Sequence, residues 1–167
     1  GKYIAYLKDR TAVAVMDIKS GKERILLDRN VNYSYSDGDQ SYAWSPDSRY
    51  IAYSCRKLAG KRYAFSTNTE IYIYNVETAE TSVIDMKGGY DTDPVWSPDG
   101  SRIAWISMER DGYEADKQRL MVADVDWSAG SMPAISGIRD ITDSFRYNVS
   151  GPAWSADSKS IYFASLA

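Results

Sequence analysis

A chain of 167 residues, 44% hydrophobic and 26% charged with a net charge of −3, has the length for one domain or for part of a larger one. Its acidic balance argues against a nucleic-acid partner, which calls for a basic surplus, and no apolar run approaches the roughly 20 residues of a membrane span. Histidine is absent and cysteine occurs once, at Cys55, which removes Ser-His-Asp, Cys-His and His-metal chemistry, an internal disulfide and a cysteine-built zinc site together.

In chain order, Lys2-Tyr3-Ile4-Ala5-Tyr6 reads as a strand, followed by a second at Ala12–Ile18. A turn at Lys19-Ser20-Gly21-Lys22 leads to a return strand at Glu23–Leu27. Asp37-Gly38-Asp39 and, later, Asp91-Thr92-Asp93 lack the series of about six oxygen ligands of a calcium loop, so both read as turns. Ala43–Ser54 then holds Trp44-Ser45-Pro46-Asp47, a β-turn in sequence form, and a strand with Cys55 as a small buried residue at its end. Glu70–Val76, a turn at Glu77–Glu80 and Thr81–Ile84 form a second hairpin. The same order recurs with Val95-Trp96-Ser97-Pro98-Asp99-Gly100, the strand after it, Arg119–Val125, and a return strand ending at Arg139–Thr142. Ala153-Trp154-Ser155-Ala156-Asp157 opens another copy that runs to Ala164.

The copies align without gaps, with their shared Ile at 4, 51, 103 and 161, spacings of 47, 52 and 58 residues. That period belongs to propeller blades of roughly 40–50 residues. No window carries a helix-length 3.6-residue apolar period. The expected fold is therefore all-β: a partial β-propeller of four-stranded antiparallel blades, two complete and two partial. The units fall approximately at 1–40 (partial), 41–88, 92–142 and 150–167 (partial). The phase of the repeat predicts an excerpt of a longer protein whose open strand edges invite self-association. Trp44, Trp96 and Trp154 recur in register and are expected between blades, and Asp47, Asp99 and Asp157 are expected to accept backbone N–H bonds within their turns. Trp105 and Trp127 fall outside the register. Asn32-Tyr33-Ser34 and Asn148-Val149-Ser150 match the glycosylation pattern and carry little weight.

The Trp-Ser-Pro-Asp-Gly blade resembles the repeat of the TolB propeller and of the WD40-like propellers of prolyl oligopeptidase family serine peptidases. The segments Lys57–Tyr72, Gly89–Gly100 and Ile106–Lys117 resemble bacterial dipeptidyl and acylaminoacyl peptidases of that family. Asn32–Gln40 is also similar to the propeller of tricorn-like peptidases, and the subfamily stays open. The resemblance implies an N-terminal propeller partnered with a C-terminal α/β-hydrolase domain of the same parent chain, acting on peptide substrates in the periplasm or outside the cell. No Gly-x-Ser-x-Gly occurs here, so the chain itself is expected to be non-catalytic, with no cofactor and no metal, and to gate peptide access to the hydrolase. Propellers of the dipeptidyl peptidases also hold the substrate's N-terminal amine on acidic residues. Glu109 and Glu114, in the acidic loop Met108–Asp116, are the substrate-binding candidates, although the family's adjacent Glu-Glu pair is absent. A TolB-like envelope scaffold that binds proteins is the alternative.

Overall fold

A computed structural model describes residues 1–8, 12–26, 41–58 and 61–165, except for the side chains of Ala12 and Tyr63. Leu27, Asn32–Gln40 with its Asp37-Gly38-Asp39, and Ala59-Gly60 lie outside the described residues. Thirteen strands form four antiparallel sheets among the described residues. The first holds β1 (Tyr3–Lys8), β2 (Ala12–Asp17) and β3 (Glu23–Ile25). The second runs in the order β4 (Tyr42–Trp44), β5 (Tyr50–Cys55), β6 (Glu70–Asn75) and β7 (Thr81–Ile84). The third repeats it with β8 (Tyr90–Trp96), β9 (Arg102–Met108), β10 (Arg119–Asp126) and β11 (Ala134–Asp140). The fourth pairs β12 (Ser150–Trp154) with β13 (Ile161–Ala164). The chain is thus a partial β-propeller with two four-stranded blades and two shorter ones among the described residues.

Each inter-sheet layer is a separate core, and the period-2 alternation of the strands feeds two cores at once. On β5, Ile51, Tyr53 and Cys55 face Val13 and Val15 of the first sheet, while Tyr50 and Ala52 face Trp96, Ile103 and Trp105 of the third. On β9 and β10, Ala104, Ile106, Leu120 and Val122 turn the other way, towards Val149, Trp154 and Ile161. The middle strands are apolar on both faces because both faces are covered. Burial pushes the Cys55 thiol up to about 12, so it is an inert packing residue.

Two features differ from the sequence reading. Asp91-Thr92-Asp93 is not a turn: it lies in β8, where the register with β9 slips between Thr92 and Val95 and Asp93 takes φ 53°. The ladder continues past the irregularity because a bulge absorbs the extra residues without breaking the pairing. β11 ends at Asp140, within the end at Arg139–Thr142 read from the sequence, and a bulge at Gly137-Ile138 opposite Ala123 shifts its register against β10. A five-residue helix, α1 (Lys61–Phe65), sits in the β5–β6 connection and is too short to leave an apolar period.

Antiparallel order sends alternate connections to opposite rims. One rim gathers the hairpin turns at 18–22, 45–49, 76–80, 97–101 and 155–160. The other gathers the longer links β5–β6, β9–β10 and from β11 to β12, together with the short β7–β8 link.

Candidate functional site

The turn rim is built by repetition. In its three copies Ser45, Ser97 and Ser155 each donate Oγ to the carboxylate of Asp47, Asp99 or Asp157 at 2.6 Å. Each carboxylate also accepts the backbone N–H two residues on, from Arg49, Ser101 and Lys159. The next position, Ser48, Gly100 or Ser158, closes the turn at φ between 59° and 73°. Among these carboxyls, that of Asp99 is held at about 2, chiefly by the Ser97 hydroxyl and the Ser101 amide and hydroxyl. The repeat Trp side chains act across the seams: Trp96 Nε1 donates to Ala43 O at 3.3 Å, and Trp154 Nε1 donates to Val95 O at 3.2 Å. Each acceptor precedes the Trp of the preceding blade, so one hydrogen bond is handed from blade to blade. Trp44 is half-buried, packed with Tyr3 in the first inter-sheet core. Trp127, out of register in the sequence, bridges Tyr50 and Trp96 with ring centroids 5.0 and 5.4 Å away and donates Nε1 to Gly100 O at 2.7 Å.

The longer-loop rim carries the candidate substrate residues. Glu109 follows β9 directly and is exposed, its Oε2 accepting from Arg119 Nη1 at 3.4 Å. Glu114 is exposed on the far side of the turn at 110–113, where Tyr113 N donates to Arg110 O at 3.3 Å. Arg110 closes this loop with Nη2 and Nε on the Asp116 carboxylate, at 2.9 and 3.2 Å, and stacks its guanidinium 4.0 Å from the Tyr113 ring centroid. Those contacts hold the Asp116 carboxyl well below the usual range. The loop is also tied to the preceding blade. Asp111 accepts Ser66 Oγ at 2.7 Å and the amides of Thr67 and Asn68 at 2.8 and 3.1 Å, and Gly112 N donates to Thr67 Oγ1 at 2.9 Å. Burial opposes ionisation of Asp111, but the Ser66 hydroxyl and the Thr67, Asn68 and Gly112 amides outweigh it and lower the carboxyl.

Beneath this rim lies Asp91, fully buried. Its Oδ1 accepts Trp105 Nε1 at 3.2 Å, and Oδ2 has no hydrogen-bond partner among the described residues. Desolvation pushes the Asp91 carboxyl up to about 7, against the opposing pull of the Ser107 hydroxyl and the Trp105 indole. Glu70, raised mainly by burial, adds like charge nearby, and Arg119 only partly offsets it. Thr69 stitches the two blades here, donating N–H to Gly89 O and Oγ1 to Asp91 O, at 3.3 and 2.7 Å. Gly89 stands at φ +103°, with Met108 O only 2.0 Å from where a Cβ would be, so backbone passes where any side chain would go. Among the described residues no group of three or more His, Cys, Asp or Glu is placed to hold a metal ion.

The sequence reading proposes Glu109 and Glu114 as amine ligands and does not single out Asp111, the buried state of Asp91 or the Arg110–Asp116 closure. Trp105, set aside as out of register, was the available signal for Asp91: a buried indole N–H needs an acceptor.

No protein-family model matches the chain. It is 47% identical over 127 residues to dipeptidyl-peptidase 5 of Porphyromonas gingivalis, covering 75% of this chain and 17% of that protein. In structure it is similar to TolB of Acinetobacter baumannii, with TM-score 0.61 and 20% identity over 97% of this chain and 34% of TolB. It is also similar to the tricorn protease, with TM-score 0.56 and 18% identity over 98% of this chain and 14% of that structure. The chain spans less than a fifth of the length of the curated relative it matches at 47%. The chain is a run of TolB-like propeller blades homologous to a segment of dipeptidyl-peptidase 5.

Proposed function

We propose that these blades are the non-catalytic, access-gating propeller of an exported dipeptidyl-type serine peptidase, whose hydrolytic machinery lies in an α/β-hydrolase domain outside these residues. The identity of 47% over 127 residues to a dipeptidyl-peptidase carries this reading. The lack of histidine and of a Gly-x-Ser-x-Gly elbow in these residues supports placing the chemistry outside them. Glu109 and Glu114 hold the ammonium group of a peptide's free end. Both are exposed carboxylates on the longer-loop rim, and the loose 3.4 Å contact to Arg119 leaves Glu109 free to exchange partners. A charge-assisted hydrogen bond to the amine contributes about 1.5–3 kcal/mol, or roughly 10–100-fold in affinity.

The test is steady-state hydrolysis of a free-amine dipeptidyl chromogenic substrate by the full-length protein. Glu109→Gln with Glu114→Gln raises KM about tenfold or more and leaves kcat near its original value. An unchanged KM removes both residues from amine recognition. A full-length protein without serine-hydrolase activity removes the peptidase reading and leaves a TolB-like protein-binding scaffold, which the fold likeness to TolB equally accommodates. Fractionation of the full-length protein in its host tests export: it is expected outside the cytoplasm.

A further inference from the structure

We propose that Asp111 is the positioning residue of substrate recognition, a latch that borrows the preceding blade to fix the loop carrying Glu109 and Glu114. The proposal rests on the amine-binding reading above. Glu109 and Glu114 sit on the connection between two strands of one blade, and a ten-residue link between strand ends has no rigidity of its own. Two sets of contacts remove that freedom. Within the loop, Arg110 and Asp116 close it end to end through paired hydrogen bonds.

Across the seam, one carboxylate collects the Ser66 hydroxyl on both oxygens and the Thr67 and Asn68 amides on Oδ1. Gly112 returns an N–H to Thr67 Oγ1, so the two loops are joined in both directions. Gly112 takes φ +75°, a left-handed conformation that residues with a Cβ rarely adopt, so the path of the loop beside Thr67 favours glycine here. The anchor is itself fixed. Thr69, directly after the latched residues, pairs with Gly89 and Asp91 at the base of β8, inside the same seam.

The consequence is chemical. A carboxylate pair binds an ammonium well only if both oxygen-bearing ends are preplaced, because the cost of ordering a mobile loop on binding is subtracted from the affinity. Asp111 touches neither the proposed substrate nor the reacting atoms; it sets where Glu109 and Glu114 stand. A clamp held by two blades instead of one also makes recognition sensitive to the relative placement of those blades.

The experiment compares Asp111→Ala, Asp111→Asn and the double Glu109→Gln, Glu114→Gln variant in the full-length protein. It reads amide hydrogen exchange across 108–118, kcat and KM for a free-amine dipeptidyl substrate, and inhibition by a free dipeptide against its N-acetyl form. Asp111→Ala is expected to speed exchange in the loop, raise KM about tenfold at near-constant kcat, and weaken inhibition by the free dipeptide but not by the acetylated one. Asp111→Asn, which keeps an oxygen for the Thr67 and Asn68 amides, recovers most of the loss. Unchanged exchange in Asp111→Ala overturns the latch whatever the kinetics. Faster exchange with unchanged KM, while the double Glu variant raises KM, overturns the positioning role and leaves amine recognition by the glutamates standing. Unchanged KM in the double Glu variant overturns the underlying reading and, with it, the positioning role.

Discussion

At the turn rim, three copies of Trp-Ser-x-Asp close with the same 2.6 Å Ser–Asp hydrogen bond and the same backbone acceptor geometry. Nothing at the longer-loop rim repeats: Asp111 reaches back to Ser66, Arg110 locks Asp116, and Asp91 is buried with an unpaired oxygen. At the repeated rim each Ser–Asp turn closes on itself, and the bonds that cross the seams there join equivalent segments of neighbouring blades, as Asp99 N does to Ser158 Oγ, so the copies can be alike whatever the protein does. At the other rim the seam is crossed between unlike loops, as from Asp111 to Ser66, so each position there is individual. Function is therefore sought where the blades differ.

The contrast is broken most strongly at Asp91. Its carboxyl is raised in the folded chain to about 7 from an unfolded value of 3.8, so the folded state binds more protons between those limits. Stability is then greatest below about pH 4 in this contribution and falls as pH rises towards 7, by up to about 4 kcal/mol. Asp91→Asn keeps an acceptor for Trp105 and should flatten that slope. Urea unfolding at pH 4.5 and pH 8, compared between variant and parent, measures it; equal slopes would show that Asp91 is not protonated in the fold. Gly89→Ala comes next, at about 2–4 kcal/mol, since the added Cβ collides with the Met108 backbone at a strained φ. Wild-type urea midpoints in this variant would contradict the close approach.

The turn rim responds less. Asp99→Ala removes acceptors for Ser97 and Ser101 in an exposed turn and should cost about 1 kcal/mol in the same unfolding assay. Ala156→Pro should gain about 0.5 kcal/mol in Tm-based stability, because the third turn shares the hydrogen bonds of the two turns that carry Pro at this position. A destabilised Ala156→Pro would show that the third turn differs from Pro46 and Pro98 in backbone.

The repeated half of this design was legible in the sequence. Trp44, Trp96 and Trp154 at blade spacing, and Ser-x-Asp after them, marked turns and seams because identical residues must solve identical local problems. Ala12–Asp17, Glu70–Asn75 and Thr81–Ile84 were readable from β-branched and aromatic runs. Illegible were features made by two distant segments. Asp111 meets Ser66 across 45 positions, and Asp91 owes its state to burial under Trp105, which no spacing announces. Asp91-Thr92-Asp93 looked like a turn because its composition is turn-like, whereas a bulge keeps it in β8. Trp127 had no repeat partner to betray that it caps the Tyr50–Trp96 seam.

The central claim, that recognition lives on the longer-loop rim and architecture on the turn rim, is tested most directly by one paired measurement in the full-length protein. KM for a free-amine dipeptidyl substrate is compared between the Glu109→Gln, Glu114→Gln variant and an Asp47→Asn, Asp157→Asn variant. A rise of about tenfold in the first, with the second unchanged, is the expected result. Equal changes in both, or a rise confined to the turn-rim variant, would contradict it.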